Sequence, residues 1–145
     1  MKDYIVKKKV LINAPPSVVW DALTNPQKTR KYFFNCEVFS DWKVGSPITF
    51  KGKIFWIKKI ELKGEITKIE PEKLLQYTLK NGEADKKPGG FSTVTDQLIF
   101  ENGKTTLSIS DDVGSGEGAE ERFTRSQKGW DKVLKGLKEL VEQEK

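Results

Sequence analysis

Histidine is absent from the 145 residues, and its absence excludes more than any residue present asserts. Without an imidazole there is no Ser-His-Asp or Cys-His catalysis, no histidine metal ligand and no histidine general base. A single cysteine, Cys36, excludes an intramolecular disulfide. With no histidine beside it, Cys36 reads as a small buried hydrophobe rather than a nucleophile, and no enzymatic activity is expected. No apolar run approaches the ~20 residues needed to cross a bilayer. The opening MKDYIVKKKVLINAPP carries charges but no apolar core of about 7–15 residues, so no export signal is expected and the protein is read as cytoplasmic. A metal would have carboxylates alone to bind. The candidates Asp111, Asp112, Glu117, Glu120 and Glu121 flank a Gly-rich stretch and the opening of a helix. Acids there serve the helix dipole and its free amides, so neither a metal nor another cofactor is expected.

What is present describes one soluble domain. Hydrophobic residues make up 36% and charged residues 32%, and a chain of this size buries roughly 70% of its unfolded surface. A net charge of +5 raises the question of nucleic acid. The basic residues are dispersed, however: Lys7 to Lys9, then Lys28, Arg30 and Lys31, then Lys58 and Lys59, then several near the end. Neither a glycine-aromatic RNA signature nor a recognition-helix pattern accompanies them, so they read as solvated faces and no nucleic-acid partner is expected.

The order of elements reads strand, helices, strands, helix. Residues 4 to 13 alternate with Val6, Val10 and Ile12 on one face, and Asn13-Ala14-Pro15-Pro16 stops the strand and starts a helix. Val18, Val19, Ala22 and Leu23, with Trp20, give that helix an apolar side, and Thr24-Asn25-Pro26 ends it. A short second helix spans Gln27 to Lys31. From Cys36 to Asp112 the chain reads as strands joined by turns: Ile48 to Ile57, Ile60 to Glu70, Leu74 to Leu79, Phe91 to Phe100 and Lys104 to Ser110. Asn81 to Gly90 is polar and glycine-rich, hence a loop. Asn102-Gly103 is a hairpin turn signal.

The last helix carries the most information. Phe123, Trp130 and Leu137 recur every seven residues, interleaved with Val133, Leu134, Leu140 and Val141. Ser126 and Gln127 stand where the stripe would ask for leucines, so its first half is polar and aromatic while its second half is aliphatic. Either that first half floors a cavity, or Phe123 and Trp130 fill a core with Ser126 and Gln127 at a wet edge. Gly129 and Gly136 inside the helix each cost about 1 kcal/mol relative to alanine, and close approach of the helix to a sheet is the expected compensation. The fold class expected is α+β: a curved antiparallel β-sheet of about six or seven strands wrapped around a long C-terminal α-helix, with two short helices after the first strand. Phe50, Tyr77, Phe91 and Leu98 are candidates to face that helix, with Tyr32 and Phe34 near one mouth.

The segments Asn13-Ala14-Pro15-Pro16-Ser17-Val18-Val19-Trp20-Asp21-Ala22-Leu23-Thr24-Asn25-Pro26, Lys43-Val44-Gly45, Lys63-Gly64-Glu65-Ile66 through Glu70-Pro71, and Gly129-Trp130 with Leu134 and Leu137 carry a resemblance. In their order and spacing they resemble the family of activator-of-heat-shock-protein-90-ATPase homologues. That family belongs to the helix-grip superfamily, shared with START lipid-transfer domains, aromatic polyketide cyclases and the birch pollen allergen. The resemblance covers nearly the whole chain and implies one START-like domain over residues 1–145. It also implies a hydrophobic cavity between helix and sheet, used for lipids, hormones, flavonoids or polyketides. Tyr32 matches a position where many relatives have tryptophan, and Trp42-Lys43-Val44-Gly45-Ser46 departs from the usual Gly-Gly pair. The eukaryotic activators place such a domain after a separate N-terminal domain, which this sequence lacks, so direct activation of the chaperone's ATPase is not expected.

Ile54-Phe55-Trp56-Ile57 breaks the alternation, putting large apolar side chains on both faces of a hairpin. Either extra packing under the first helices covers the second face, or Phe55 and Trp56 are interaction residues for a protein partner or a homodimer. Three functions follow. The first is a binding domain for a small apolar or aromatic molecule or lipid, contacted by Tyr32, Phe34, Phe50, Tyr77, Phe91, Leu98, Phe123, Ser126, Gln127, Trp130 and Leu134. The second is a stress-related, chaperone-cofactor-like adaptor. The third is a polyketide-cyclase-like enzyme, the weakest because no paired acid and base are visible on the expected cavity face.

Overall fold

The structure, a computed structural model, describes residues 4–54, 58–81, 91–114 and 118–144. Strand β1 (Ile5–Ile12) leads into helices α1 (Pro16–Thr24) and α2 (Pro26–Tyr32). Strands β2 (Cys36–Ser40), β3 (Pro47–Ile54), β4 (Lys58–Glu70), β5 (Leu74–Asn81), β6 (Phe91–Glu101) and β7 (Lys104–Asp112) follow, and helix α3 (Ala119–Glu144) closes the chain. Every strand pair is antiparallel, in one seven-stranded sheet of order β1-β7-β6-β5-β4-β3-β2. This is the helix-grip architecture expected from the sequence.

Local chemistry fixes the joints. Pro16 opens α1, where a missing N–H costs nothing. Asn25 ends α1 through its N–H on Asp21 O, and its side chain accepts from Gln27 N at 3.0 Å to start α2. The buried Thr105 hydroxyl donates to Ala14 O at 2.7 Å and ties the β1–α1 corner to β7. Thr29, also buried, donates to Pro26 O and accepts from Val38 N at 3.1 Å, which fastens α2 to β2. Asn102 and Gly103 both take positive φ, as a two-residue hairpin turn requires. On β4, Thr67 is the extra residue of a bulge, since Ile66 pairs with Tyr77 and Lys68 with Gln76; bulges of this kind bend a strand. Trp42 adopts φ 57° and packs against the core.

The core lies between the sheet's inner face and α3. β1 contributes Val6 and Ile12, β3 Ile48 and Phe50, β4 Ile66, β5 Leu75 and Tyr77, β6 Val94 and Leu98, and β7 Leu107 and Ile109. Against them α3 sets Trp130, Val133, Leu134, Leu137 and Val141; a buried side chain of this size contributes about 1.5–3 kcal/mol. Polar ties hold the second half of α3 to β1: Lys138 Nζ donates to Leu11 O at 2.6 Å, and Glu142 accepts from Asn13 N at 2.9 Å. Cys36 is fully buried, and burial pushes its thiol pKa up.

The two helix glycines serve a neighbour other than the expected one. A Cβ on Gly136 would meet Tyr32 Cβ at 3.0 Å, and one on Gly129 would meet Phe34 Cζ at 3.4 Å. The close approach is thus to the end of α2 and the residues after it, not to the sheet. Phe55, Trp56, Ile57 and most of the Asn81 to Gly90 loop lie outside the described residues.

Candidate functional site

Along α3 the space against the sheet divides in two. Toward the helix's second half is a narrow cavity of about 20 Å³, walled by Tyr32, Phe33, Phe50, Tyr77, Asp96, Trp130, Leu134 and Leu137 among others. That is room for one water molecule. Toward the first half is an outer cavity of about 330 Å³, lined by Phe33, Phe34, Leu62, Leu79, Ser92, Val94, Asp111, Val113, Arg122, Arg125, Ser126, Gly129, Trp130 and Val133. Trp130, Phe33 and Val133 form the partition common to both.

Aromatic packing builds that partition. Phe33 stacks on Phe50 with ring centroids 4.7 Å apart and meets Trp130 edge-on at 6.0 Å, while Phe50 leans on Tyr77 at 5.8 Å. Phe33 is buried and Phe34 is 41% exposed at the rim of the outer cavity. The backbone explains the reversal: Phe34 and Asn35 both take left-handed φ, 49° and 60°, so the chain turns sharply between the two rings. Tyr32 directs its hydroxyl into the protein, donating to Ala22 O at 2.7 Å.

Two buried carboxyls stand on the cavity face, Asp96 on β6 and Asp111 on β7, 2% and 5% exposed. Asp96 pairs with Ile109 and Val94 with Asp111, so the two acids are diagonal neighbours on one face of the sheet. Asp111 Oδ2 accepts two hydrogen bonds from α3, from Ser126 Oγ at 2.5 Å and Trp130 Nε1 at 2.9 Å. Its Oδ1 is buried with no hydrogen-bond partner. Asp96 borders the inner cavity. Burial, then the neighbouring Asp111 charge, raises the Asp96 pKa to about 7. Tyr32 and Tyr77 are pushed well above the ordinary phenol value, first by burial and then by Asp96.

Of the residues named from sequence, Tyr32, Phe50, Tyr77, Trp130 and Leu134 meet around the inner cavity, and Phe34, Ser126 and Trp130 around the outer one. Leu98 lies in the core away from both, beside Pro16, Leu74 and Phe100. Phe123 packs edge-on against Tyr4 at 5.9 Å. Gln127 is half-buried and lines neither cavity. Phe91 lies in β6, and its side chain is outside what the structure describes. Phe33, Asp96, Arg122 and Arg125 border a cavity without having been named as site residues from the sequence, and Asp111, named there only as a carboxylate near the helix opening, borders the outer one. Asp112 accepts from Gly114 N at 3.0 Å, and Glu120 and Glu121 occupy the first turn of α3; no cluster of metal-ligating side chains occurs among the described residues.

This arrangement, a sheet closed on one helix with a partly open space between them, has counterparts among known proteins. The family model described as activator of Hsp90 ATPase homolog 1-like protein matches residues 13–142. The chain belongs to that family. Protein ChR145 from Cytophaga hutchinsonii, a family-sized relative, is 32% identical, with 99% of this chain and 98% of that one aligned at a TM-score of 0.78. The Aha1 dimer from Colwellia psychrerythraea shares the fold at 19% identity and TM-score 0.72, over 95% of this chain and 96% of that one. DynU16, described as a putative protein in the dynemicin biosynthetic locus, shares it at 21% identity and TM-score 0.77, over 99% of this chain and 49% of its own. No functionally curated protein matches the sequence. No helix of the described residues in this family member is long and apolar enough to cross a membrane.

Proposed function

We propose that this domain binds a small, largely apolar molecule in the outer cavity, between the sheet and the first half of α3. The observation that carries the reading is the contrast within one interface: the space is about 20 Å³ at one end and about 330 Å³ at the other. The larger figure falls within the range of ligand pockets, roughly 300–1,000 Å³. Its lining has the composition such sites share, with apolar walls from Phe33, Leu62, Leu79, Val94 and Val133 and a few convergent polar groups from Ser92, Asp111 and Ser126. Trp130 borders both spaces and reports on occupancy through its indole.

Native mass spectrometry of the purified protein, followed by titration of aromatic and fatty compounds against Trp130 fluorescence and amide NMR shifts, tests this. Binding tighter than about millimolar, ~4 kcal/mol, is expected, together with its loss in Ser92→Trp, which fills the lining without touching the buried core. If no apolar class binds at that level, the reading fails.

A further inference from the structure

Cations that are scattered along the sequence gather on one outer surface of the fold. Arg125, Lys128, Lys132 and Lys135 are all exposed on α3, and spacings of three and four residues set them within one arc of the helix, turned away from the sheet. The end of α2 rests beside that arc, where Gly136 faces Tyr32 and Gly129 faces Phe34, and it adds the exposed Arg30 and Lys31. No ion pair or side-chain hydrogen bond among the described residues engages any of these six. The nearby acids are engaged elsewhere or lie at the margins: Asp131 pairs with Lys8 at 3.0 Å, Asp21 with Lys28 and Glu142 with Lys138 at 3.4 Å, while Glu121 and Glu139 bound the stripe. Unpaired like charges gathered this closely repel one another and attract an anionic partner.

We propose that this face of α3 and α2 docks on an anionic lipid surface, with the mouth of the outer cavity against the membrane. Charge alone does not choose among anionic partners; the apolar neighbours do. Phe34 is 41% exposed beside the stripe, and Phe34, Arg125 and Gly129 all line the outer cavity. Cationic side chains next to an exposed aromatic ring and an apolar opening match a bilayer, which sets anionic headgroups over an apolar interior. A nucleic acid offers phosphates but no apolar interior for the cavity to open into. In the docked orientation an apolar guest passes from lipid to cavity without crossing water. The choice of lipid rests in part on the binding reading above, but docking is measured with no guest present, so the two fail separately.

Co-sedimentation of the full chain with vesicles decides it, using phosphatidylcholine alone and a phosphatidylcholine and phosphatidylglycerol mixture, each at low and high salt. Binding is expected to the mixed vesicles only and to weaken as salt rises. The variant Lys128→Gln/Lys132→Gln/Lys135→Gln, whose exposed helix positions tolerate glutamine, is expected to lose about a hundredfold of that binding, roughly fivefold per lysine. Phe34→Ser is expected to weaken it severalfold with the salt dependence unchanged. As a control, Lys7→Gln/Lys9→Gln/Lys68→Gln removes as many charges from exposed positions on the sheet and is expected to bind nearly as the wild type does. Equal losses in the two triple variants show an effect of net charge and overturn the assignment to this face, as does a wild type that ignores the anionic lipid. Tighter binding to duplex DNA or polyglutamate than to the mixed vesicles at the same salt overturns the choice of lipid. A Phe34→Ser variant that binds like the wild type overturns the placement of the cavity mouth against the bilayer.

Discussion

The two halves of α3 face the same sheet and do opposite things. From Val133 to Val141 the helix presents branched aliphatic side chains at each buried position and is tied to β1 by Lys138 and Glu142, so helix and sheet close on each other. From Arg122 to Gly129 the residues that border the sheet-side space are two arginines, a serine and a glycine, and a cavity remains between helix and sheet. The sheet is continuous beneath both. The difference therefore lies in what the helix sends inward: a layer of leucine and valine fills its volume at native density, whereas short or polar side chains leave room that only a guest or solvent occupies. Trp130 stands at the junction, its ring in the packed half and its N–H turned to Asp111.

The largest effect expected from probing this contrast involves the acid shut into the closed half. Asp96 titrates near pH 7 in the folded protein, against an ordinary value of 3.8. The folded state therefore binds the extra proton, and the stabilisation is complete below about pH 4 and lost as pH rises through about 7. By linkage this amounts to something of the order of 4 kcal/mol. Asp96→Asn should match the wild type in urea unfolding at pH 4 and become the more stable protein by pH 8. Parallel pH profiles for the two would mean that Asp96 is not shut in.

Next in size is a comparison of truncations. Leu137→Ala, in the closed half at 1% exposure, should cost about 3 kcal/mol, within the range for a buried leucine. Leu79→Ala, on the wall of the outer cavity, should cost under about 1.5 kcal/mol, because its neighbours already border open space. Equal losses in chemical denaturation would show that the outer end is as tightly packed as the inner.

The smallest effect is a difference of sign between the two helix glycines. Alanine gains about 1 kcal/mol of helix propensity at either position. At Gly129 the new methyl makes an ordinary contact with the half-exposed Phe34 ring, so Gly129→Ala should raise the melting temperature by a few degrees. At Gly136 it presses on Tyr32 Cβ at 3.0 Å, and that side chain is held by its hydroxyl on Ala22 O, so Gly136→Ala should gain nothing or lower it.

How much of this was legible in the sequence depends on what sets each feature. Strands and helices followed from periodicity: Val6, Val10 and Ile12 on alternate positions of β1, and Phe123, Trp130 and Leu137 at heptad spacing on α3. The inner aromatic wall of Phe50, Tyr77 and Trp130 followed from the same patterns. Asp111 reads from sequence as an acid serving the opening of the last helix and Asp96 carries no motif, although the runs Val94-Thr95-Asp96-Gln97-Leu98 and Leu107-Ser108-Ile109-Ser110-Asp111 place both on the core face by simple alternation. Arg122 and Ser126 sit at helical spacing with Gly129 and Val133, a second stripe beside the apolar one. Phe33 was not legible by any local rule. Its inward turn depends on two successive left-handed residues, Phe34 and Asn35, that the surrounding packing imposes. The glycine contacts were not legible either, since they depend on where α2 comes to rest against α3.

One small joint has a consequence for the protein in a crowded solution. An open sheet ends in two strands with a free side, and a free side is a template for pairing with another molecule. β2 is five residues long, and on that side the Val38 amide is taken by the Thr29 hydroxyl. β1 presents the exposed lysines Lys7 and Lys9 along its length. A hydroxyl at one border and like charges at the other make the sheet a poor seed for strand-by-strand aggregation.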